Sequence, residues 1–331
     1  MIPEDLRILA MRDWLENELL LTILSFQPAS SDASFRRYFR IKTPTDQFIV
    51  MDAPPDKENT EPFIRVASLM KKAQINVPAI YHKNLTEGFL LLEDFGADNY
   101  LDQLTPDNAE TLYQNAFDSL IKLQTNIALP ECRLPEYDEA LLKRELGLFD
   151  EWFLGQFLDL QLPDQLRSTV YKLLIVNALE QPVTCVHRDY HSRNLMVMDG
   201  RAPGVLDFQD AVIGPISYDL VSLLRDCYIA WPEAQIDRWV NQYYQRLVDN
   251  ERATCDYQRF KRWFDLMGMQ RHLKAIGIFS RLHLRDGKSD YLKDIPRTLN
   301  YVQTQALAYP ELSEFSRFIQ QTILPAYQLA A

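Results

Sequence analysis

A chain of 331 residues, 47% hydrophobic and 24% charged, has ordinary globular usage and room for one large domain or two lobes, which excludes a disordered or collagen-like protein. Its formal net charge of −11 and the lack of a basic stripe argue against a nucleic-acid partner. Four scattered cysteines, Cys132, Cys185, Cys227 and Cys255, form no C-x-x-C pair, so neither a zinc knuckle nor a disulfide framework is expected and a reducing compartment fits.

The start, Met1-Ile2-Pro3-Glu4-Asp5, lacks the basic flank and unbroken apolar stretch of a signal peptide. No window approaches the roughly 20 apolar residues of a membrane span, so the expected address is cytoplasmic and no membrane partner is expected. Residues 4–25 read as an amphipathic helix, with Leu6, Leu9, Ala10, Trp14 and Leu21 on one side and Asp13, Glu16 and Glu18 on the other. Phe35–Ile41 and Gln47–Met51 then read as strands of a hairpin of two or three, split by Lys42-Thr43-Pro44-Thr45-Asp46. Residues 62–73 read as a helix with Pro62 in its first turn. Val77–Tyr81 and Gly88–Glu93 read as two more strands. After Gly96 the texture turns helical, over residues 105–126, 138–158 and 164–180. Short β segments return at Val183–Val186, Leu195–Met198 and Gly204–Leu206, and helices resume from about Ser217. The expected architecture is α+β with a small β-rich N-lobe, residues 1–95, and a larger helical C-lobe, residues 96–331.

The chemistry concentrates in His187-Arg188-Asp189-Tyr190-His191-Ser192-Arg193-Asn194, a polar loop between two apolar runs. If 195–198 and 204–207 pair as an antiparallel hairpin, Asn194 entering it and Asp207 leaving it lie side by side. One amide oxygen and one carboxylate suit magnesium, which keeps few protein ligands beside phosphate oxygens and water. Asp189 on the same loop can orient or deprotonate a hydroxyl. Alternating His187, Asp189 and His191 could bind zinc if the segment were extended, but the spacing to Asn194 and Asp207 makes that the poorer reading.

These residues match the H-x-D-x-x-x-x-N and D-F signatures of the protein-kinase-like superfamily. With His191, Asp207-Phe208-Gln209-Asp210, Gly214-Pro215 and Tyr218-Asp219-Leu220, the chain resembles the aminoglycoside phosphotransferase and choline kinase branch from about Ser30 to Arg285. The loop, the runs Leu206–Pro215 and Ser222–Tyr228, Ser34–Phe39, Met51–Pro55 and Gln270–Lys274 resemble the bacterial anomeric kinases of N-acetylmuramate and N-acetylglucosamine. The resemblance implies a protein-kinase-like fold. It also implies ATP-dependent phosphorylation of an amino sugar's anomeric hydroxyl, giving a 1-phosphate in cell-wall peptidoglycan recycling. In that reading Asp189 is the catalytic base and Asn194 and Asp207 hold Mg²⁺. Asp219 braces the loop through backbone hydrogen bonds, His187 is structural, and Glu93 to Phe95 form the hinge at adenine. A monomer acting on a small molecule is expected. The alternatives are a kinase of an aminoglycoside, choline-like alcohol or other sugar, and a nucleotide-binding scaffold without turnover.

Two departures stand out. The loop expected over the phosphates has no glycine, so Ser31, Asp32 and Ser34 would offer N–H groups and hydroxyls, with Arg36 nearby. The strand that usually carries a phosphate-binding lysine reads Phe48-Ile49-Val50-Met51-Asp52. Either Arg65, held by Asp52, supplies the charge as an inverted pair, or Arg36 or Arg37 does. Arg225, Asp226, Arg271 and His272, with His191, are the candidate sugar contacts, an arginine suiting a lactyl carboxylate. For Arg225, Asp226, Arg271 and His272 the plain alternative is surface salt bridges, and for His191 it is bracing of the loop.

Overall fold

A computed structural model describes residues 5–31, 35–199 and 202–330, with Ser30 and Ser31 described in backbone only. Asp32, Ala33 and Ser34 of the expected phosphate loop lie outside the described residues, as does the side chain of Ser31. The chain forms two compact units, residues 1–98 with 196–209, and residues 99–195 with 210–331.

The first unit is built on an antiparallel sheet of β1 (Ser25–Ser31), β2 (Arg37–Lys42), β3 (Gln47–Asp52), β4 (Ile80–Asn84) and β5 (Phe89–Glu93), in the order β1-β2-β3-β5-β4. The turn into β3 closes where the Thr43 N–H meets Asp46 O at 2.9 Å, bringing Lys42 opposite Gln47. Strand alternation then puts Phe39, Ile41, Val50, Phe89 and Leu91 on one face. There they form a core with Met11, Trp14 and Leu15 of the N-terminal helix. α1 (Leu6–Asp13) continues in π-type winding only to Glu18. The expected helix to residue 25 is therefore too long, because the chain turns at Leu20 (φ 56°) and enters β1. Its buried side also differs from the expected one. Met11, Trp14 and Leu15 face the sheet, while Leu6 and Leu9 stay exposed. β1 did not read as a strand because Pro28 and its serines imitate a loop. Its edge position and a register shift between Pro28 and Ser30 accommodate the proline.

Asp52 shares the α1 face two residues beyond Val50 and is fully buried. Its Oδ1 accepts from Arg7 Nε (2.8 Å) and Nη2 (2.5 Å). Its Oδ2 accepts from Arg37 Nε (2.9 Å) and Nη2 (2.5 Å), across the strand pair that sets Arg37 opposite Asp52. Asp5, the N-cap of α1, also pairs with Arg37. This corrects the inverted pair: both oxygens of Asp52 are committed to arginines on its own face of the sheet. Arg65 in α2 (Glu61–Lys72) pairs with Glu61 one turn back, at 3.2 Å. α2 buries the stripe Phe63, Val66, Ala67 and Met70, and Phe63 meets Phe208 at 4.8 Å between ring centres. β7 (Leu195–Met196) and β8 (Gly204–Val205) form a two-stranded ladder. A Cβ on Gly204 would come within 2.5 Å of the Phe95 ring, so only glycine admits that contact.

The second unit is helical. It contains α3 (Tyr100–Gln103), α4 (Ala109–Asn126), α5 (Leu129–Cys132), α6 (Glu139–Leu148), α7 (Asp164–Leu179), α8 (Tyr218–Leu224), α9 (Glu233–Asp249), α10 (Tyr257–Asp286), α11 (Ile295–Ala308), α12 (Ser313–Phe318) and α13 (Leu324–Ala330). α10 is its axis. Asp256 caps it, Gly287 ends it at φ 67°, and α6, α7, α8, α9 and α11 pack around it. Its Gly277 lies against the backbone of Leu148 and Phe149, where a Cβ would stand 2.4 Å from a carbonyl carbon. The remaining β elements, β6 (Val183–Val186) and β9 (Val212–Pro215), pair antiparallel. No helix of the described residues is long and apolar enough to cross a membrane.

The Asp52 clamp makes a measurable demand. Removing a buried carboxylate from two guanidinium groups strands both charges, and breaking such a pair costs about 3–5 kcal/mol when fully buried. Arg7 and Arg37 are partly exposed, so Asp52→Ala should lower unfolding free energy by about 2–3 kcal/mol in urea titration. A loss under about 0.5 kcal/mol would show that the clamp is ornamental.

Candidate active site

β6 ends at Val186, paired with Val212 of β9, and the chain enters the 187–194 loop. Asp219 in the first turn of α8 is fully buried. It accepts the N–H of His187 at 2.7 Å and that of Arg188 at 2.9 Å. Arg188 adopts φ 77°, a left-handed conformation that costs a non-glycine residue on the order of 1 kcal/mol. The Asp219 bond and the Arg188–Glu145 ion pair (2.5 Å) hold it there. The loop then coils on itself. The Asp189 N–H donates to His187 Nδ1 (3.2 Å), the His191 N–H to Asp189 O (3.0 Å), and the Asn194 N–H to His191 O (2.9 Å). A coiled loop cannot present His187, Asp189 and His191 on one face, and the zinc reading, which needs an extended strand, falls with it. Asp226 holds the far side, accepting from Ser192 N–H at 2.9 Å and Ser192 Oγ–H at 2.5 Å.

Asp189 is half-buried. Burial alone would raise its pKa. Lys274, His191, Arg271 and Arg188 outweigh that and bring the carboxyl down to about 2, so it is ionised near neutrality. Behind the loop lies a buried hub. Glu145 ion-pairs with Arg188 and with Lys274 (3.0 Å), accepts from Gln270 Nε2 (3.1 Å), and takes the Tyr137 hydroxyl. Burial opposes its ionisation, but Lys274 and Arg188 hold it near 2. Asn194 donates its side-chain N–H to Asp189 O at 3.0 Å, so Oδ1 is the atom with which the amide can serve a cation.

In the first unit, Asp207 stands at φ 61° and accepts from Gln209 Nε2 at 2.6 Å. A carboxylate oxygen is a hard ligand of the kind magnesium accepts. The expected hinge is pinned by a residue that did not stand out in the sequence. Arg40 bonds Asp94 through Nε (2.6 Å) and Nη2 (2.9 Å) and reaches Gly96 O (2.6 Å). Glu93 Oε2 caps the Ala79 N–H at 3.1 Å. Arg36 pairs with Glu58 at 3.2 Å, and Glu58 also accepts the Phe35 N–H.

Three residues expected at the sugar have other tasks. Arg225 is fully buried and gives Nη1 to Asp265 (2.8 Å) and Nη2 to Glu233. It ties α8's end to α9 and α10. Asp226 is the loop brace, and its second oxygen takes the Tyr228 N–H at 2.8 Å. His272 meets Arg225 O through Nε2 at 2.8 Å and stacks on Tyr301; burial drives its pKa to about 3. A polar side chain within an apolar helix looks the same in sequence whether it faces a ligand or a neighbouring helix. His191 sits edge-on to Tyr228 at 5.2 Å and its Nδ1 is buried without a hydrogen-bond partner. Arg271 is buried beside Cys227 Sγ, 3.8 Å from Nη1.

The hub has a testable pH signature. Glu145 binds its proton more weakly folded than unfolded, so its stabilisation is whole above the ordinary glutamate value of 4.5 and fades as pH falls toward about 2. Glu145→Ala should cost about 3–5 kcal/mol at pH 7, because Arg188 and Lys274 lose their shared anion. In urea titrations the gap between wild type and variant should narrow below pH 4.5. A gap that stayed constant there would reject the ionised hub.

Residues 25–256 match the Phosphotransferase enzyme family (APH). A Pseudomonas putida protein described as an N-acetylmuramate/N-acetylglucosamine kinase is 43% identical over 97% of this chain and 98% of its own. Its Neisseria meningitidis counterpart, of the same description, is 40% identical over 93% of each. Among solved structures, a choline kinase from Streptococcus pneumoniae superposes with a TM-score of 0.64 at 12% identity, covering 89% of this chain and 99% of its own. The ADP-bound aminoglycoside phosphotransferase APH(2'')-Ib superposes at 0.59 with 15% identity, covering 88% and 97%. The fold is thus the protein-kinase-like one of these enzymes, and the chain belongs to the phosphotransferase enzyme family.

Proposed function

We propose that this protein uses ATP to phosphorylate the anomeric hydroxyl of N-acetylmuramate and N-acetylglucosamine, releasing the sugar 1-phosphate and ADP for cell-wall recycling. The carrying observation is 40–43% identity, over nearly the whole of both chains, to kinases described by those two sugars. The coiled loop around an ionised Asp189 supports the same reading.

In this proposal Asp189 accepts a hydrogen bond from the C1 hydroxyl and takes its proton as the oxygen bonds to the γ-phosphorus. The bond from that phosphorus to the bridging oxygen breaks, and its electron pair leaves on ADP. A carboxylate held near pKa 2 is a weak base but a permanent hydrogen-bond acceptor. That suffices for phosphoryl transfer, where little proton removal precedes bond breaking and most of the gain comes from positioning and charge. An anomeric hydroxyl, acidified by the ring oxygen, also asks less of its base. Asn194 and Asp207 are the proposed ligands of a magnesium ion, which neutralises phosphate charge when bound. Glu93 to Phe95 are the proposed adenine hinge, with Arg36 and Arg65 proposed near the phosphates.

Asp189→Asn should stay folded and bind ATP but lose turnover by about 10²–10⁴-fold. Near-normal kcat in the folded variant would remove Asp189 from the reaction. A sugar panel with ATP, read by phosphorus NMR, should give an anomeric phosphate from both amino sugars. A 6-phosphate, or turnover only with an aminoglycoside or choline, would reject the proposal.

A further inference from the structure

Several cations packed inside the second unit have carboxylate partners. Arg225 has Asp265 and Glu233, while Arg188 and Lys274 share Glu145. Arg271, only 6% exposed, has no carboxylate within ion-pair distance among the described residues; its hydrogen-bonding contact is the Cys227 thiol, 3.8 Å away. A guanidinium taken out of water without an anion is costly. The negative charges that reach it through space include Asp189 and Asp226. Asp226 is already committed to Ser192 and Tyr228. Asp189 is the carboxylate proposed to receive the sugar hydroxyl.

A second polar group is unsatisfied in the same place. His191 Nδ1 is buried without a partner, and Arg271 is among the charges that act on the ring. Tyr228 lines this corner, edge-on to His191 and stacked under Arg193 at 3.8 Å. Asp189, a buried cation without an ion-paired carboxylate, a buried imidazole and an aromatic ring thus lie together.

We infer that Arg271 is the anion receptor of the acceptor site, binding the carboxylate of the lactyl ether at C3 of N-acetylmuramate. This rests on the proposed function. N-acetylglucosamine bears a plain hydroxyl at C3 and leaves Arg271 without its anion, so this residue sets the balance between the two sugars. The planar fork of arginine suits a carboxylate, and a charge-assisted pair in a desolvated site is among the stronger polar contacts.

The test compares kcat/KM for N-acetylmuramate, its neutral lactamide and N-acetylglucosamine in wild type, Arg271→Leu and Arg271→Lys. Wild type should prefer the acid over the lactamide by about 10- to 100-fold. Arg271→Leu should collapse that preference to within about 3-fold, and Arg271→Lys, a cation without the fork, should restore part of it. Equal use of acid and lactamide by wild type overturns the inference without any variant, so it can be tested even if Arg271→Leu fails to fold. An equal loss on all three sugars with a raised KM for ATP also overturns it, assigning Arg271 to the nucleotide's phosphates instead. If wild type turns over none of the three, the functional reading falls and this inference with it.

Discussion

Asp219 accepts hydrogen bonds from two consecutive backbone N–H groups, and the loop bearing Asp189 turns on them. Consecutive N–H groups point the same way only when the chain leaves the extended conformation, which Arg188 does at φ 77°. Burial outweighs the pull of the two donors and leaves the Asp219 carboxyl raised to about 7. That tension is tolerable because α8 is buried along its whole length and cannot withdraw the side chain. Asp226, just past the same helix, anchors the loop at Ser192. Asp189 and Asn194 therefore ride on a segment fixed from both ends of one buried helix.

The same unit surrounds Asp189 with positive charge. Lys274, Arg271 and Arg188 each lower its pKa, and Glu145 keeps two of them in place. In the proposed reaction Asp189 works beside a polyphosphate and needs such surroundings, since like charges in a low-dielectric site repel strongly. The first unit arranges its charges differently. Its buried clamp lies on the α1 side of the sheet, leaving Ile49 and Met51 of β3 on the other side. There β2 contributes Arg40, which is tied to Asp94 and Gly96. The lysine expected on β3 is replaced by neutral side chains on that side.

Much of the chemistry was legible in the sequence. The loop motif is readable because Asp189 and Asn194 must share one turn, and a short turn forces a short spacing. Most strands declared themselves by aromatic and β-branched runs, and the long helices by their apolar period. β1 did not, because Pro28 and serines carry loop composition and an edge position alone excuses them. The N-terminal helix was legible as a helix but not in its buried side, since Leu6 and Leu9 are as apolar as the Met11, Trp14 and Leu15 that face the sheet.

The sequence thus carried the resemblance to the family, the two-texture architecture and the loop proposed to react. Tertiary structure alone decided which charges meet. Arg7 and Asp52 are 45 positions apart, Arg188 and Glu145 43, and Ser192 and Asp226 34. It also decided that Arg225 is committed to its neighbours while Arg271, one helix away, lacks an anion. The physical reason is that a buried charge is governed by whichever side chains packing brings within a few ångströms, and no local period records that choice.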